Sequence, residues 1–158
     1  MDLDFAYKNY ENPITSVIGY WSLYGNDWYF IDANGQYVTG WQFINGNWYY
    51  FAGNTVMTTG WQYVNGNWYY MDASGAMKTG WQYINGKWYF LEKSGTMTMG
   101  WQYISGHWYY MDWTGIMTTG WQYIGGHWYY MNADGIMVTG RHYINKRWYY
   151  FNANGVWN

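Results

Sequence analysis

The sequence of 158 residues contains no cysteine and only one proline. The lack of cysteine excludes a disulfide framework, a thiolate metal site and a cysteine nucleophile. Charged residues make up 10% of the chain, against roughly a quarter in ordinary globular domains. Seven basic and nine acidic residues give a formal net charge of −2. Because this balance lacks the basic footprint of nucleic-acid binding, we expect no nucleic-acid partner.

Long apolar runs are also missing, since none approaches the roughly 20 residues needed to cross a bilayer. The first four residues are Met-Asp-Leu-Asp, without the basic segment and apolar stretch of a signal peptide. We therefore expect neither a membrane span nor a signal peptide in this chain. Aromatic residues, by contrast, make up 27% of it. So many rings must be buried or used for binding, which argues against disorder.

An internal repeat of 20 residues organises the aromatic residues. Such self-similarity is typical of repeat architectures. The leading tryptophans are Trp21, Trp41, Trp61, Trp81, Trp101 and Trp121, and a seventh unit begins at Arg141. A second tryptophan follows seven residues later, at Trp28, Trp48, Trp68, Trp88, Trp108, Trp128 and Trp148. A methionine recurs further on, at Met57, Met77, Met97, Met117 and Met137.

Each unit is predicted to be a β-hairpin. In residues 41–51, two aromatic and β-branched runs flank Asn45-Gly46, a pair that favours a tight two-residue turn. This turn predicts that Trp41 pairs with Tyr50, Gln42 with Tyr49 and Phe43 with Trp48. Because side chains alternate along a strand, Trp41, Phe43, Trp48 and Tyr50 should share one face, with Tyr49 on the other. Both faces are apolar, so each hairpin must pack against its neighbours.

A second turn follows each hairpin, and in most repeats it is opened by Asp or Asn and completed by Gly, as in residues 72–75. The second repeat departs from this pattern, since its turn reads Ala52-Gly53-Asn54-Thr55. Strict spacing from Trp21 onward predicts a solenoid of stacked hairpins. A β-propeller is disfavoured because its blades need about 40 residues. Residues 1–20 fit the repeat poorly and are expected to be an N-terminal cap or a decayed half-repeat, while 21–158 form the seven repeats. A short helix over residues 4–11, ended by Pro13, is the alternative for the first segment.

The segment 80–90, Gly-Trp-Gln-Tyr-Ile-Asn-Gly-Lys-Trp-Tyr-Phe, followed by Ser94-Gly95-Thr96-Met97, resembles the choline-binding repeat of Gram-positive surface proteins and phage lysins. The resemblance covers residues 21–157. It implies an all-β, left-handed β-solenoid with about three hairpins per turn. It also implies choline binding between consecutive units, in cages of two tryptophans, a further aromatic ring and often a methionine.

Transferred to this sequence, the resemblance implies six cages, each with two tryptophans of one unit and a ring of the next. The first three sets are Trp21, Trp28 and Tyr50 with Tyr37; Trp41, Trp48 and Tyr70 with Met57; and Trp61, Trp68 and Phe90 with Met77. The others are Trp81, Trp88 and Tyr110 with Met97; Trp101, Trp108 and Tyr130 with Met117; and Trp121, Trp128 and Tyr150 with Met137. Which unit donates each ring stays open. If the leading tryptophan of the next unit is needed instead, Arg141 spoils the sixth cage and five remain.

The chemistry of choline points the same way. A quaternary ammonium has no N–H group to donate, so aromatic faces recognise it, at about 0.5–2 kcal/mol each. Two or three rings give roughly millimolar affinity, and several sites on one polymer raise it by about 10²–10⁴. The sequence thus predicts a non-catalytic module on the extracellular bacterial surface, with choline as ligand and no cofactor. Its expected partners are choline-bearing teichoic and lipoteichoic acids, and choline-modulated self-association is left open.

Other functions find less support. A glucan-binding module, which stacks aromatic rings on sugars, is the second interpretation. Of the polar groups that such a site needs, only the glutamines such as Gln42 and Gln62 recur, and they project from the face that carries Tyr49. No carboxylate pair or nucleophile motif indicates an enzyme, although the chain could be the anchor of a lytic enzyme. His107 and His127 follow hairpin turns and are interpreted as exposed turn residues, so no metal site is expected. Tyr49 and its equivalents are interpreted as core.

Overall fold

The computed structural model describes residues 15–158, and this part of the chain is built from fourteen short β-strands. The strands are β1 (Gly19–Tyr24), β2 (Asp27–Asp32), β3 (Gly40–Ile44), β4 (Asn47–Phe51), β5 (Gly60–Val64), β6 (Asn67–Met71), β7 (Gly80–Ile84), β8 (Lys87–Leu91), β9 (Gly100–Ile104), β10 (His107–Met111), β11 (Gly120–Ile124), β12 (His127–Met131), β13 (Gly140–Ile144) and β14 (Arg147–Phe151). They pair in sequence order as seven two-stranded sheets, here called hairpins 1 to 7. The proposed helix over residues 4–11 and most of the predicted cap lie outside the described residues.

The predicted hairpin register is confirmed. Trp41 pairs with Tyr50, Gln42 with Tyr49 and Phe43 with Trp48, in antiparallel order. Asn45 and Gly46 have φ of 47° and 88°, as a tight turn with two left-handed residues requires. The turn residues therefore fix which side chains share a face.

A connector follows each hairpin and contains the predicted second turn. In the connector after hairpin 3, the Asp72 carboxylate accepts the backbone N–H of Ser74 at 2.9 Å and of Ala76 at 3.1 Å, and Gly75 has φ of 84°. In the second repeat the residue in the left-handed conformation is Thr55, with φ of 70°. The glycine of that repeat, Gly53, lies two residues earlier and does not have a positive φ. Each connector then forms a single antiparallel bridge with the end of its hairpin, such as Phe51 with Met57.

The described chain divides into two compact units. One runs up to Gly80 and adds Leu91–Met97, and the other holds Trp81–Phe90 and Thr98–Asn158. In the first unit, Phe30, Ile44 and Phe51 are buried in one cluster. In the second, Val138, Ile144 and Phe151 form a comparable cluster. Within each unit, consecutive hairpins are stacked so that one face of a hairpin covers the opposite face of the next.

Candidate functional site

The two tryptophans of each hairpin form two walls at right angles. Trp21 and Trp28 have ring centroids 6.3 Å apart and an interplanar angle of 87°. The equivalent pairs of hairpins 2 to 6 have separations of 6.2–6.5 Å and angles of 83–87°. We number each cleft by the hairpin that supplies this pair. Since a β-strand exposes alternate residues on one face, the register alone brings the two rings together.

A tyrosine of the following hairpin makes the third wall. The Tyr49 ring lies 4.9 Å from the Trp21 ring in an edge-to-face arrangement. Tyr109 lies at 4.8 Å from Trp81, and Tyr129 at 4.8 Å from Trp101. Edge-to-face packing is favourable for aromatic rings, so these contacts hold the walls in position.

A methionine and a turn complete the lining. The Met57 N–H donates to the Trp28 carbonyl at 2.8 Å, which ties the connector after hairpin 2 to hairpin 1. The same bond joins Met117 to Trp88 and Met137 to Trp108. Three clefts therefore have equivalent linings: Trp21, Trp28, Tyr49, Met57, Ala73 and Ser74 in cleft 1; Trp81, Trp88, Tyr109, Met117, Ala133 and Asp134 in cleft 4; and Trp101, Trp108, Tyr129, Met137, Ala153 and Asn154 in cleft 5.

The clefts are small and open. Clefts 1, 4 and 5 have volumes of about 340, 340 and 330 Å³, near the lower end for small-ligand pockets. The outer tryptophans Trp28, Trp88 and Trp108 are 40–43% exposed. Each of these clefts is thus open to solvent and lined by three aromatic rings.

The observed linings correct the predicted grouping of the third ring. The prediction placed Tyr50, Tyr70, Phe90, Tyr110, Tyr130 and Tyr150 against the tryptophans of the preceding hairpin. Tyr50 instead pairs with Trp41 of its own hairpin, with ring centroids 5.0 Å apart, and Tyr110 pairs with Trp101. Because hairpins stack front to back, the ring that reaches the preceding hairpin comes from the face that carries Tyr49. Ligand contact by any of these residues stays a prediction.

The methionines are shifted by one cleft from the predicted grouping. Met57, expected with Trp41 and Trp48, lines cleft 1, and Met117, expected with Trp101 and Trp108, lines cleft 4. The cause is the hydrogen bond from each connector back to the preceding hairpin. Tyr37, expected in cleft 1, lies 5.6 Å from Tyr29 and is 53% exposed.

Cleft 2 differs from the others in burial. Trp41 and Trp48 are 7% and 6% exposed and form a buried cluster with Tyr69. Their mutual geometry is the same as elsewhere, at 6.5 Å and 86°. Cleft 2 is therefore closed to solvent, although its sequence is typical of the repeat.

In the seventh repeat Arg141 replaces the leading tryptophan. Its guanidinium carbon lies 4.4 Å from the centroid of the Trp148 ring in the same hairpin. Tyr149, on the opposite face, lies 4.9 Å from Trp121. The ring set of Trp121, Trp128 and Tyr149 is thus assembled without residue 141.

The polar groups near the clefts serve the turns. Burial alone would raise the pKa of Asp72, but hydrogen bonds from Ser74 and Ala76 and the charge of Lys78 bring that pKa below its ordinary value. Gln42, Gln62, Gln102 and Gln122 donate their side-chain amides to carbonyls three residues earlier, at 2.8–2.9 Å. The side-chain amides of these four glutamines are therefore hydrogen-bonded to the backbone.

Burial and the charge of Asp112 raise the pKa of Tyr89, so its hydroxyl stays neutral at physiological pH. Within residues 15–158, no three His, Asp or Glu side chains are placed to hold a metal ion. No helix in this described range is long and apolar enough to cross a membrane.

Three sets of residues at the clefts are not predicted as site residues from the sequence. The Tyr49 column was assigned to the core, the turn residues at 73–74 and their equivalents were not considered, and Trp157 was not linked to the methionines. The signal for Trp157 was present, because it lies 20 residues after Met137. Alternation of faces was the signal for Tyr49.

The fold and the clefts define a class of protein: an all-β repeat protein whose hairpins form aromatic clefts suited to small organic cations. Comparison with known families identifies the class more closely. The choline-binding repeat matches residues 38–79, 78–117 and 118–156, about three quarters of the chain. The chain belongs to the choline-binding repeat family.

Solved structures agree with this assignment. Choline-binding protein F from Streptococcus pneumoniae is 40% identical, with a TM-score of 0.84 over 89% of this chain and 51% of that one. CbpJ from Streptococcus pneumoniae is 37% identical, with a TM-score of 0.85 over 89% and 52%. The modular Cpl-1 endolysin is 34% identical, with a TM-score of 0.57 over 80% and 39%. The chain thus spans about half the length of the first two, and comparison with curated proteins gave no match.

Proposed function

We propose that this chain is a non-catalytic module that anchors to choline on teichoic and lipoteichoic acids of a bacterial cell wall. The observation that carries the proposal is the repeated lining of clefts 1, 4 and 5, each with two perpendicular tryptophans, a tyrosine and a methionine. Each aromatic face attracts a quaternary ammonium, and the methionine supplies a polarisable apolar surface. The clefts lie between consecutive hairpins, so the 20-residue repeat produces the same lining more than once.

Repetition explains how weak sites produce an anchor. Three ring contacts amount to about 4 kcal/mol, or roughly millimolar affinity per cleft. A polymer that carries many cholines engages several clefts at once, which raises the overall affinity by about 10²–10⁴. The extracellular bacterial surface is where such a polymer lies, and we place the protein there.

The relatives support a wall-directed role. Choline-binding protein F has a structure in the presence of a peptidoglycan analogue, and the Cpl-1 endolysin has one in complex with such an analogue. We extend this to the present chain as the wall-binding part of a surface protein or lytic enzyme. From the family resemblance we also propose a left-handed solenoid with about three hairpins per turn, a capping role for residues 1–20, and choline-modulated self-association.

A glucan ligand is the less favoured alternative. Sugar rings need hydrogen-bonding groups that converge on their hydroxyls. Each described cleft offers one polar turn side chain, Ser74, Asp134 or Asn154, and four recurring glutamines donate to the backbone. The linings therefore favour a quaternary ammonium group, which has no N–H to donate.

Thermal unfolding with and without choline tests the proposal. Because the clefts form only in the folded stack, ligand at about 100 times its dissociation constant adds about 2.7 kcal/mol per site, and the melting temperature rises. Sodium chloride at equal concentration controls for salt, and a glucan oligomer tests the alternative. A melting temperature that is flat up to about 100 mM choline, or that rises equally with sodium chloride, contradicts the proposal.

A further inference from the structure

The column of cleft methionines ends in a tryptophan. Trp157 lies 20 residues after Met137 and makes the same backbone contacts one repeat further on. Its N–H donates to the Trp128 carbonyl at 2.9 Å, as that of Met137 does to Trp108 at 2.8 Å. It also forms the connector bridge with Phe151. The backbone therefore places the Trp157 side chain where a methionine lines the other clefts.

In cleft 6 this substitution brings four aromatic rings together. Trp121 lies 6.2 Å from Trp128 and 4.9 Å from Tyr149, as in the other clefts. The Trp157 ring lies 5.8 Å from both Trp121 and Tyr149, at angles of 68° and 72°. It thus contacts two of the three usual walls.

Trp157 leaves the outer wall of cleft 6 accessible. Trp128 is 43% exposed, the same as Trp108 in the open cleft 5. Trp157 is itself 42% exposed. Trp128 therefore keeps a ring surface that solvent reaches. Cleft 6 can therefore admit a ligand with an aromatic surface in place of the thioether.

The cation of Arg141 does not compete for this position. Its guanidinium lies over Trp148, which is on the opposite face of hairpin 7 from Tyr149, because adjacent strand residues alternate. The only charged side chain that replaces a cleft tryptophan in the described repeats is therefore directed away from cleft 6.

We propose that Trp157 is a binding residue for quaternary ammonium ions and makes cleft 6 an aromatic cage of four rings. This inference rests on the proposed choline-binding function. Trp is the most effective ring for cation–π contact, and one added ring strengthens binding by about 2- to 30-fold. A thioether provides dispersion but no π face.

Two reciprocal variants test the role of Trp157. Trp157→Met gives cleft 6 the residue that the other clefts carry, and Met137→Trp gives cleft 5 the fourth ring. Crystals of the full chain equilibrated with graded choline concentrations report the occupancy of each cleft separately. We expect Trp157→Met to raise the choline concentration for half-occupancy of cleft 6 by about 2- to 30-fold, and Met137→Trp to lower it for cleft 5. Clefts 1 and 4 serve as internal references.

A neutral analogue isolates the contribution of charge. The compound 3,3-dimethylbutan-1-ol has the shape of choline without its charge, so it measures apolar contact alone. If Trp157→Met lowers the affinity of cleft 6 for choline more than its affinity for this analogue, the cation–π role is supported. Unchanged occupancy of cleft 6, or equal losses for both ligands, overturns the inference. If Trp157→Met does not fold, the Met137→Trp result at cleft 5 decides, and absence of choline from every cleft overturns the proposed function instead.

Discussion

Trp48 and Trp108 hold the same position in their hairpins, but they should respond differently to replacement by alanine. Trp48 is 6% exposed and Trp108 is 43% exposed. A tryptophan buries up to about 250 Å², so this difference corresponds to about 90 Å² and, at about 25 cal/mol per Å², to about 2 kcal/mol. Full truncation of a buried tryptophan costs about 3–5 kcal/mol. We expect Trp48→Ala to lower the free energy of unfolding by about 4 kcal/mol and Trp108→Ala by about 2 kcal/mol.

Choline binding should show the opposite order. Trp108 is a wall of the open cleft 5, so Trp108→Ala should remove one choline from the saturated protein. Trp48 belongs to the closed cleft 2, so Trp48→Ala should leave the number of bound cholines unchanged where the variant is folded. Urea denaturation without ligand gives the free energies, and calorimetric titration with choline gives the stoichiometry. Equal losses of stability, or one choline lost in both variants, would refute the reasoning from burial.

Three further predictions follow from the clefts and turns. Tyr109→Ala should weaken choline binding at cleft 4 more than Tyr110→Ala does, as NMR titration of the two variants can measure. Asp134→Asn should weaken choline binding at the same cleft by a few-fold, because an exposed ion pair contributes about 0.5 kcal/mol. Asn154→Asp should strengthen choline binding at cleft 5 for the same reason. Site occupancies in crystals measure both effects, and unchanged occupancy in either variant would contradict the prediction. Because the native pKa of Asp72 is below its ordinary value of 3.8, its contribution to stability is present above that value and is lost as the pH falls through the native pKa. Asp72→Asn should therefore reduce the acid sensitivity of unfolding below about pH 4 while keeping the turn, and an unchanged pH profile would contradict this.

The hairpins were predictable because local chemistry determines them. Asn45-Gly46 fixes the turn, the turn fixes the register, and alternation then places Trp41 and Trp48 on one face. Even Asn145-Lys146, the weakest turn sequence, forms with both residues at positive φ. Local signals of this kind need no knowledge of how hairpins pack.

The clefts were only partly predictable because they depend on how hairpins stack. Front-to-back stacking brings Tyr49, and not Tyr50, to Trp21, and sequence similarity alone does not reveal that direction. The closure of cleft 2 could not be predicted either, since Trp48 has the same local sequence as Trp68 but is 6% instead of 41% exposed. An exact repeat predicts equal environments, and tertiary context makes them unequal.

The close contact between Gly75 and Met57 has a consequence for how such chains evolve. A Cβ atom on Gly75 would lie 2.3 Å from the Met57 sulfur, so the two positions, 18 residues apart, constrain each other across repeats. At the corresponding place Thr55 carries a side chain, and the residue 18 positions earlier is Tyr37, not methionine. Substitutions at the glycine position and at the methionine position 18 residues earlier should therefore occur together, although the two positions lie in different repeats. Duplication of the second repeat would place a copy of Thr55 against Met57, so the array grows most readily by copying segments that run from a connector methionine to the glycine 18 residues later.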